Sequence, residues 1–217
     1  MLDSAASNHT RSGPRQLLTA AMCIIFALPI TGWLIPGNDD RAVLGRELVF
    51  WAMAATIVFY VLNVERKSLT SIGLRRPSLG SVGFGVLGAV VAFAGMACMY
   101  VVLLPHIDPS YASKTSALQS LPLALKIAIV LRAAIFEEVF YRGFMIERLN
   151  ALLGSRTAAA VLSWAAFTAA HVGYWGWGSI LLAGFGGAVL TGLYLWRRDL
   201  TSNMIAHGLT DAISLLI

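Results

Sequence analysis

Long apolar runs separated by short polar segments dominate the chain from residue 17 onwards. A helix that spans the hydrocarbon core of a membrane needs about 20 mostly apolar residues. By this criterion the sequence predicts seven membrane-spanning helices, at residues 17–36, 48–64, 80–105, 121–146, 157–175, 178–196 and 200–217. The expected fold is therefore an all-α, polytopic membrane helical bundle of about seven transmembrane helices.

The composition supports this fold class. Hydrophobic residues make up 58% of the 217 residues and charged residues only 12%, which is far from the usual balance of a soluble domain. The net charge is +5, but the basic residues lie in short clusters between apolar runs, so we expect no nucleic-acid partner. Cys23 and Cys98 both lie within apolar segments and lack CxxC spacing, which predicts neither a disulfide framework nor a structural zinc site.

Arginine and lysine residues are distributed unevenly between the predicted loops, and this asymmetry indicates the orientation of the chain. The segments on the N-terminal side of the membrane hold Arg11, Arg15, Arg66, Lys67, Arg75, Arg76, Arg148, Arg156, Arg197 and Arg198. The loops on the other side hold only Arg41, Arg46 and Lys114. Because cytoplasmic loops are enriched in basic residues, we expect a multi-pass cell-membrane protein with its N-terminus in the cytoplasm and its C-terminus outside.

Ionisable side chains interrupt the fourth predicted helix, and such residues in a membrane helix indicate function by default. Glu138 and Arg142 are four residues apart, so they share one face of an α-helix and can form an ion pair. Glu137 is offset by about 100° and is left available as a general base. The alternative is that all three form a structural charge cluster that holds helices together. The spacing predicts no role for Arg132.

Two later helices carry further polar residues. His171 lies in the fifth predicted helix, and His207 and Asp211 lie four residues apart in the seventh. Polar groups on three separate apolar helices are difficult to explain as packing, so we expect them to converge in one polar pocket. Counting from the basic loops places Glu137 and His207 in the cytoplasmic half of the membrane, which predicts that the pocket opens to the cytoplasm or laterally between helices.

Three spaced motifs resemble, in order, those of the intramembrane glutamic endopeptidases: Glu137-Glu138-x-x-x-Arg142, Phe167-x-x-x-His171 and His207-x-x-x-Asp211. That family includes the CAAX prenyl proteases and bacterial proteins grouped with bacteriocin-processing and abortive-infection functions. Residues 187–196 and 200–203 are also similar to its lead-in to the third motif. The expected organisation is a cytoplasmic tail at 1–16, transmembrane helices without a matched motif at 17–119 and a catalytic core at 120–217.

The resemblance implies an intramembrane peptidase, of bacterial type from its compact chain, that acts without a cofactor or an obligatory metal. Glu137 would activate a water molecule for attack on a peptide carbonyl, and His171 would help to hold or deprotonate that water. His207 and Asp211 would stabilise the oxyanion. The residues expected to order the site are Glu138, Arg142 and Phe167. The implied partners are the lipid bilayer and a peptide or protein substrate.

Asp211 departs from the family, whose third motif usually ends in Asn. An ionised carboxylate cannot donate a hydrogen bond to an oxyanion, so we expect Asp211 to orient His207 and leave donation to the imidazole. Two other functions stay open. An intramembrane zinc hydrolase could use His171, His207 and a carboxylate as ligands, and a non-enzymatic transporter or immunity protein could use the same groups as an ion or proton relay.

Overall fold

The computed structural model describes residues 13–37 and 39–216, except for the side chains at 114, 115 and 117. Residues 1–12 of the predicted tail, with Arg11, and the side chain of Lys114 therefore lie outside the described part. No strand occurs among the described residues. Their α-helices are α1 (Pro14–Ala27), α2 (Ile30–Leu34), α3 (Asp40–Phe59), α4 (Leu79–Val102), α5 (Leu104–Ile107), α6 (Tyr111–Gln119), α7 (Leu123–Arg132), α8 (Ile146–Leu153), α9 (Arg156–Trp175), α10 (Ser179–Arg197) and α11 (Leu200–Leu216). A π turn (Tyr60–Val64) extends α3, a 3₁₀ turn (Leu69–Ile72) follows it, and a π-helical segment (Ala133–Met145) joins α7 to α8.

One continuous helix at residues 123–153 forms the centre of the bundle. It consists of α7, the π segment and α8, because the backbone at both junctions keeps right-handed helical torsion angles. In the π segment every side chain is buried except the half-buried Ile135 and Glu137. This central helix packs against α3, α9 and α11, so these three helices surround the residues of the first motif.

Glycine residues allow the outer helices to approach one another closely. A Cβ atom on Gly85 of α4 would lie 2.7 Å from Ile205 of α11, and one on Gly88 would lie 3.0 Å from Leu193 of α10. On α10, a Cβ atom at Gly186 would lie 2.9 Å from the sulfur of Met96. Small residues at these positions let helix backbones pack closely in lipid. The small-residue segments of α4 and α10 are therefore packing faces.

The first apolar run does not form one helix. α1 ends at Ala27, and Leu28 is extended (φ −76°, ψ 147°). Leu28 precedes Pro29, and the proline ring clashes sterically with a helical conformation of the residue before it. The prediction of a single helix over 17–36 is therefore wrong. After Pro29 the chain turns into the short helix α2, where Thr31 forms a hydrogen bond with the Tyr174 hydroxyl of α9.

The second helix is longer than the predicted 48–64. α3 begins at Asp40, and the Asp39 side chain caps it by accepting a hydrogen bond of 2.8 Å from the backbone N–H of Ala42. With the π turn, the helical stretch covers 25 residues, Asp40–Val64. The charged residues of its first turns suggested a loop, but Glu47 among them is buried inside the bundle.

The outer surface of the bundle is suited to a membrane. Within the described part of the chain, three helical stretches are long and apolar enough to cross a membrane, namely Asp40–Val64, Leu79–Val102 and Ser179–Arg197. Large apolar side chains of α4 point outward, and Leu87, Val90 and Val101 are each more than half exposed. A contiguous apolar surface of this kind can be covered by lipid tails.

One end of the bundle, here called the basic end, is formed by the turns at 65–78, 154–155 and 198–199. The backbone N–H of Leu200 donates to Gly73 across these turns (2.9 Å). Glu65 accepts from Arg148 (2.8 and 3.0 Å), and Glu147 accepts from Arg156 (2.6 Å). These ion pairs bury both charged residues of α8, which explains why the central helix continues past the predicted end at residue 146.

The segments 28–37, 103–122 and 176–178 form the opposite end of the bundle. The guanidinium of Arg46 donates to the carbonyl oxygens of Ile35 (3.0 Å) and Gly37 (2.6 Å), and the Tyr174 hydroxyl accepts from the backbone N–H of Gly32 (3.2 Å). The segment 28–37 is therefore fastened to both α3 and α9. The long helical stretches run alternately between this end and the basic end.

α11 begins at the basic end after Asp199. Burial acts to raise the pKa of Asp199, but hydrogen bonds from Ser81, Ser202 and the backbone of Thr201 hold it below its usual range. The Ser202 hydroxyl and the Thr201 N–H donate to this carboxylate at 2.8 and 3.0 Å. Such a cap fixes the first turn of α11, the helix that carries the third motif.

Candidate active site

A fully buried carboxylate, Glu138, lies at the centre of the polar residues in the bundle. Its Oε1 atom accepts from Arg142 Nη1 (2.8 Å) and from His207 Nδ1 (2.8 Å). Its Oε2 atom accepts from Asn203 Nδ2 (3.0 Å). A buried charge is tolerated when it is paired and its remaining lone pairs are hydrogen-bonded. Arg142, His207 and Asn203 together meet this condition for Glu138.

The partners of Glu138 connect the central helix to its neighbours. Arg142 also donates from Nη2 to the Gly187 carbonyl of α10 (3.2 Å), and its guanidinium lies 4.2 Å from the ring centre of Phe167 on α9. Asn203 donates a second bond to the Leu190 carbonyl of α10 (2.7 Å). The Glu138–Arg142 ion pair is thus part of a network that reaches α9, α10 and α11.

Glu137 is also paired, because the π winding changes which residues face one another. In an α-helix, residues five apart are separated by about 140°. In a π-helix the hydrogen bonds join residues five apart, as in the bond from the Ile146 N–H to the Tyr141 carbonyl. Glu137 follows Arg132 by five residues, and its Oε1 lies 2.6 Å from Arg132 Nη1. α-Helical spacing, which left Glu137 offset from Arg142, did not predict this contact with Arg132.

Arg132 bridges two carboxylates. Its Nε atom donates to both oxygens of Glu47 on α3, at 3.2 and 3.1 Å, while Nη1 contacts Glu137. The Phe50 ring, one turn further along α3, lies 4.4 Å below the guanidinium. Sequence reasoning missed Glu47 because the start of α3 was taken for a loop. The available signal was that Glu47 and Phe50 are three residues apart and share a helix face.

A cavity of about 360 Å³ opens beside Glu137. Its polar lining comprises Arg46, Glu47, Arg132, Glu137, Tyr141 and His171. Its aromatic lining comprises Phe26, Phe50, Phe136, Tyr174 and Trp175. The Oε2 atom of Glu137 is buried and has no hydrogen-bond partner in the protein. A buried carboxylate oxygen is costly to leave unsatisfied, so this atom is suited to a water molecule or a substrate group.

The geometry of His171 indicates its tautomer. Its Nδ1 atom lies 2.9 Å from the carbonyl oxygen of Phe167. A carbonyl oxygen only accepts hydrogen bonds, so Nδ1 carries the proton, and in the neutral ring Nε2 is an acceptor. The ring also packs against Phe167, with 4.4 Å between ring centres. His171 can therefore accept a hydrogen bond from water.

His207 and Asp211 lie behind the cavity rather than on its wall. His207 Nδ1 contacts Glu138, and Nε2 lies 3.4 Å from Asp211 Oδ2, so both ring nitrogens face carboxylates. The structure thus brings Glu137 and His171 together on the cavity wall and places His207 beside Glu138, with Asp211 on the other side of its ring.

The cavity opens at the end of the bundle opposite the basic end. Residues 28–37, the first half of α3 and residues 170–175 line it. Glu137 is near the middle of the central helix, 14 residues after Leu123 and 16 residues before Leu153. The depth count from the basic loops assumed that the central helix ends near residue 146, but it continues to Leu153, and His171 lies only four residues before the end of α9. The pocket is therefore farther from the basic end than that count predicted.

Comparison with known families identifies the segment that carries this site. Residues 119–213 match the family model described as type II CAAX prenyl endopeptidase, Rce1-like. This segment of the chain is similar to the CAAX protease family. No curated protein and no solved structure matches it. This similarity and the long apolar helices both indicate a membrane protein of the CAAX peptidase type.

The family match covers only part of the candidate site. It includes the three motifs together with Arg132 and Asn203, but it leaves out α3 and therefore Glu47. Asn203 lies in the segment 200–203, whose similarity to the family was visible in the sequence although its contact with Glu138 was not. Among the residues that the structure describes, no three His, Cys, Asp or Glu side chains are grouped so that they could hold one metal ion.

Replacing Arg142 with alanine should destabilise the protein. The change leaves Glu138 as a buried carboxylate without its strongest partner, at a cost of about 3–5 kcal/mol in the free energy of unfolding. Thermal unfolding in detergent measures the loss. The matched control is Arg41→Ala on the exposed start of α3, which should change the free energy by less than about 0.5 kcal/mol. Equal unfolding temperatures for the two variants would contradict the role of the network.

Proposed function

We propose that the protein is an intramembrane endopeptidase in which Glu137 and His171 activate a water molecule. The observation that carries this proposal is the buried Glu137 Oε2 atom, which has no protein partner, on a residue that lines the same cavity as His171. A water molecule there can donate one hydrogen bond to Oε2 and the other to His171 Nε2. Two acceptors on one water orient its lone pair for attack.

The hydrolysis follows from these two acceptors. The water oxygen attacks the peptide carbonyl carbon while Glu137 Oε2 takes a proton. The resulting tetrahedral intermediate collapses, the C–N bond breaks, and Glu137 returns the proton to the leaving amine. The products are a new carboxyl terminus and a new amino terminus, and the enzyme is regenerated. Every step uses proton transfers that a carboxylate can perform.

A hydrogen-bond donor is needed for the oxyanion of the intermediate. The family resemblance gives this role to His207, but both of its ring nitrogens already face carboxylates. Tyr141 lines the cavity and is four residues from Glu137 on the central helix. Its hydroxyl is a donor of the required kind. We assign oxyanion stabilisation to Tyr141 and a supporting role to His207 and Asp211, which hold Glu138 and α11 in place.

The orientation of the bundle determines where the substrate is located. Arg66, Lys67, Arg75 and Arg76 are exposed at the basic end, which therefore faces the cytoplasm. In this proposal α1, α3, α4, the central helix, α9, α10 and α11 all cross the membrane, so the N-terminus is cytoplasmic and the C-terminus is outside. The cavity then opens on the outer face, and the substrate is a peptide segment on that side of the membrane.

Replacing Glu137 with glutamine should abolish cleavage without loss of protein from the membrane. The amide keeps the shape of the side chain but cannot act as a base. The measurement compares membrane peptides from cells that produce wild type with those from cells that produce Glu137→Gln, using labelled amino termini and mass spectrometry. We expect a set of new termini only with wild type, and we expect them to persist when a zinc chelator is added. The same termini from both cell types would contradict the proposal.

A cysteine at Ala170, which lines the cavity, should react with an impermeant maleimide added outside intact cells. The background is the variant without Cys23 and Cys98. Leu162→Cys is the control on the same helix, because Leu162 is 49% exposed on the apolar surface and should be covered by lipid. Labelling of Ala170→Cys only in inverted vesicles would show that the cavity opens to the cytoplasm.

A further inference from the structure

The guanidinium of Arg132 joins the site to a helix that lies outside the family match. Arg132 is on the central helix, and Glu47, its partner on α3, contributes both carboxylate oxygens to Nε at 3.2 and 3.1 Å. The opposite edge of the guanidinium holds Glu137 Oε1 at 2.6 Å. The side chains of these residues are only 12%, 6% and 13% exposed. The side chains of Glu47, Arg132 and Glu137 thus form a continuous chain of ion pairs at the cavity wall.

Charge balance alone does not explain this arrangement. One carboxylate neutralises one guanidinium, so a second carboxylate adds an uncompensated negative charge in a poorly solvated site. A purely structural pair between α3 and the central helix would need only Glu47 and Arg132. The third member is the residue that we propose as the base.

The contacts restrict the position of Glu137 in a specific way. Glu47 fixes the Nε edge of Arg132, and the Phe50 ring fixes the plane of the guanidinium from a distance of 4.4 Å. The fixed guanidinium then holds Oε1 of Glu137, and Oε2 is the oxygen left without a partner. We propose that Glu47 and Arg132 are positioning residues that hold the Glu137 carboxylate so that Oε2 faces the water. This inference rests on the proposed peptidase function.

The chain contains a matched control for Glu47. Glu65 also offers both oxygens to the Nε atom of an arginine, Arg148, at 2.8 and 3.0 Å. The side chains are similarly buried, with 10% exposure for Glu65 and 6% for Arg148. This second pair also connects the end of α3 to the central helix, but it lies at the basic end and does not touch the cavity. If the Glu47–Arg132 pair had a purely structural role, Glu47→Gln and Glu65→Gln would have the same activity per folded molecule.

The experiment compares Glu47→Gln with Glu65→Gln as purified proteins in detergent. The substrate is a detergent extract of membrane proteins from cells that lack this protein. The measured rate is the rate at which new peptide termini form, counting only those termini that wild type produces and Glu137→Gln does not. Rates are divided by the folded fraction from size-exclusion chromatography. We expect Glu47→Gln to be slower by about tenfold or more at both high and low extract concentrations, which indicates a loss in kcat rather than a rise in KM. Glu65→Gln should stay within about twofold of wild type.

A second pair of variants tests Arg132 directly and decides the question if Glu47→Gln yields too little folded protein. Arg132→Lys keeps the cation beside Glu137 and should retain more activity per folded molecule than Arg132→Gln, which removes it. Equal rates for Glu47→Gln and Glu65→Gln, or equal rates for Arg132→Lys and Arg132→Gln, would overturn the positioning role. Absence of any Glu137-dependent termini from wild type would instead overturn the proposed function itself.

Discussion

The burial of Glu138 is the constraint on which the arrangement of the bundle depends. A carboxylate without solvent contact must be met by donors from every side, and here Arg142, His207 and Asn203 supply them. Two of these donors lie on α11, and both Arg142 and Asn203 reach carbonyl oxygens of α10. Satisfying Glu138 therefore fixes which faces of α10 and α11 are turned towards the central helix.

The π winding separates the roles of two adjacent carboxylates. Glu138 faces the α11 side of the central helix, whereas Glu137 faces the cavity between α3 and α9. The five-residue spacing of the π segment places Arg132 next to Glu137, so the cavity receives a carboxylate that is held at one oxygen and unpaired at the other. π-Helical segments are frequent at functional sites, and here the winding provides the geometry that an α-helix would not give.

The sequence was informative where local rules decide the structure. The lengths of the apolar runs located α9, α10 and α11 to within about two residues, and the four-residue spacing of Glu138 and Arg142 indicated their ion pair. It failed where the outcome depends on contacts between distant segments or on departures from α-helical spacing. The break at Leu28 follows from the proline rule but was outweighed by the length of the apolar run. Glu47 is buried beside Arg132, 85 residues away, and its spacing to Phe50 on one helix face does not reveal that partner.

The central claim is that Glu138 maintains the fold while its neighbour Glu137 performs the chemistry. The most direct measurement is the thermal unfolding of Glu138→Gln and Glu137→Gln in the same detergent. Glu138→Gln should unfold at a clearly lower temperature, because the amide leaves Arg142 as a buried cation without its counter-charge. Glu137→Gln should unfold close to wild type, because Arg132 keeps Glu47 as its partner. Equal losses of stability for the two variants would contradict this division of roles.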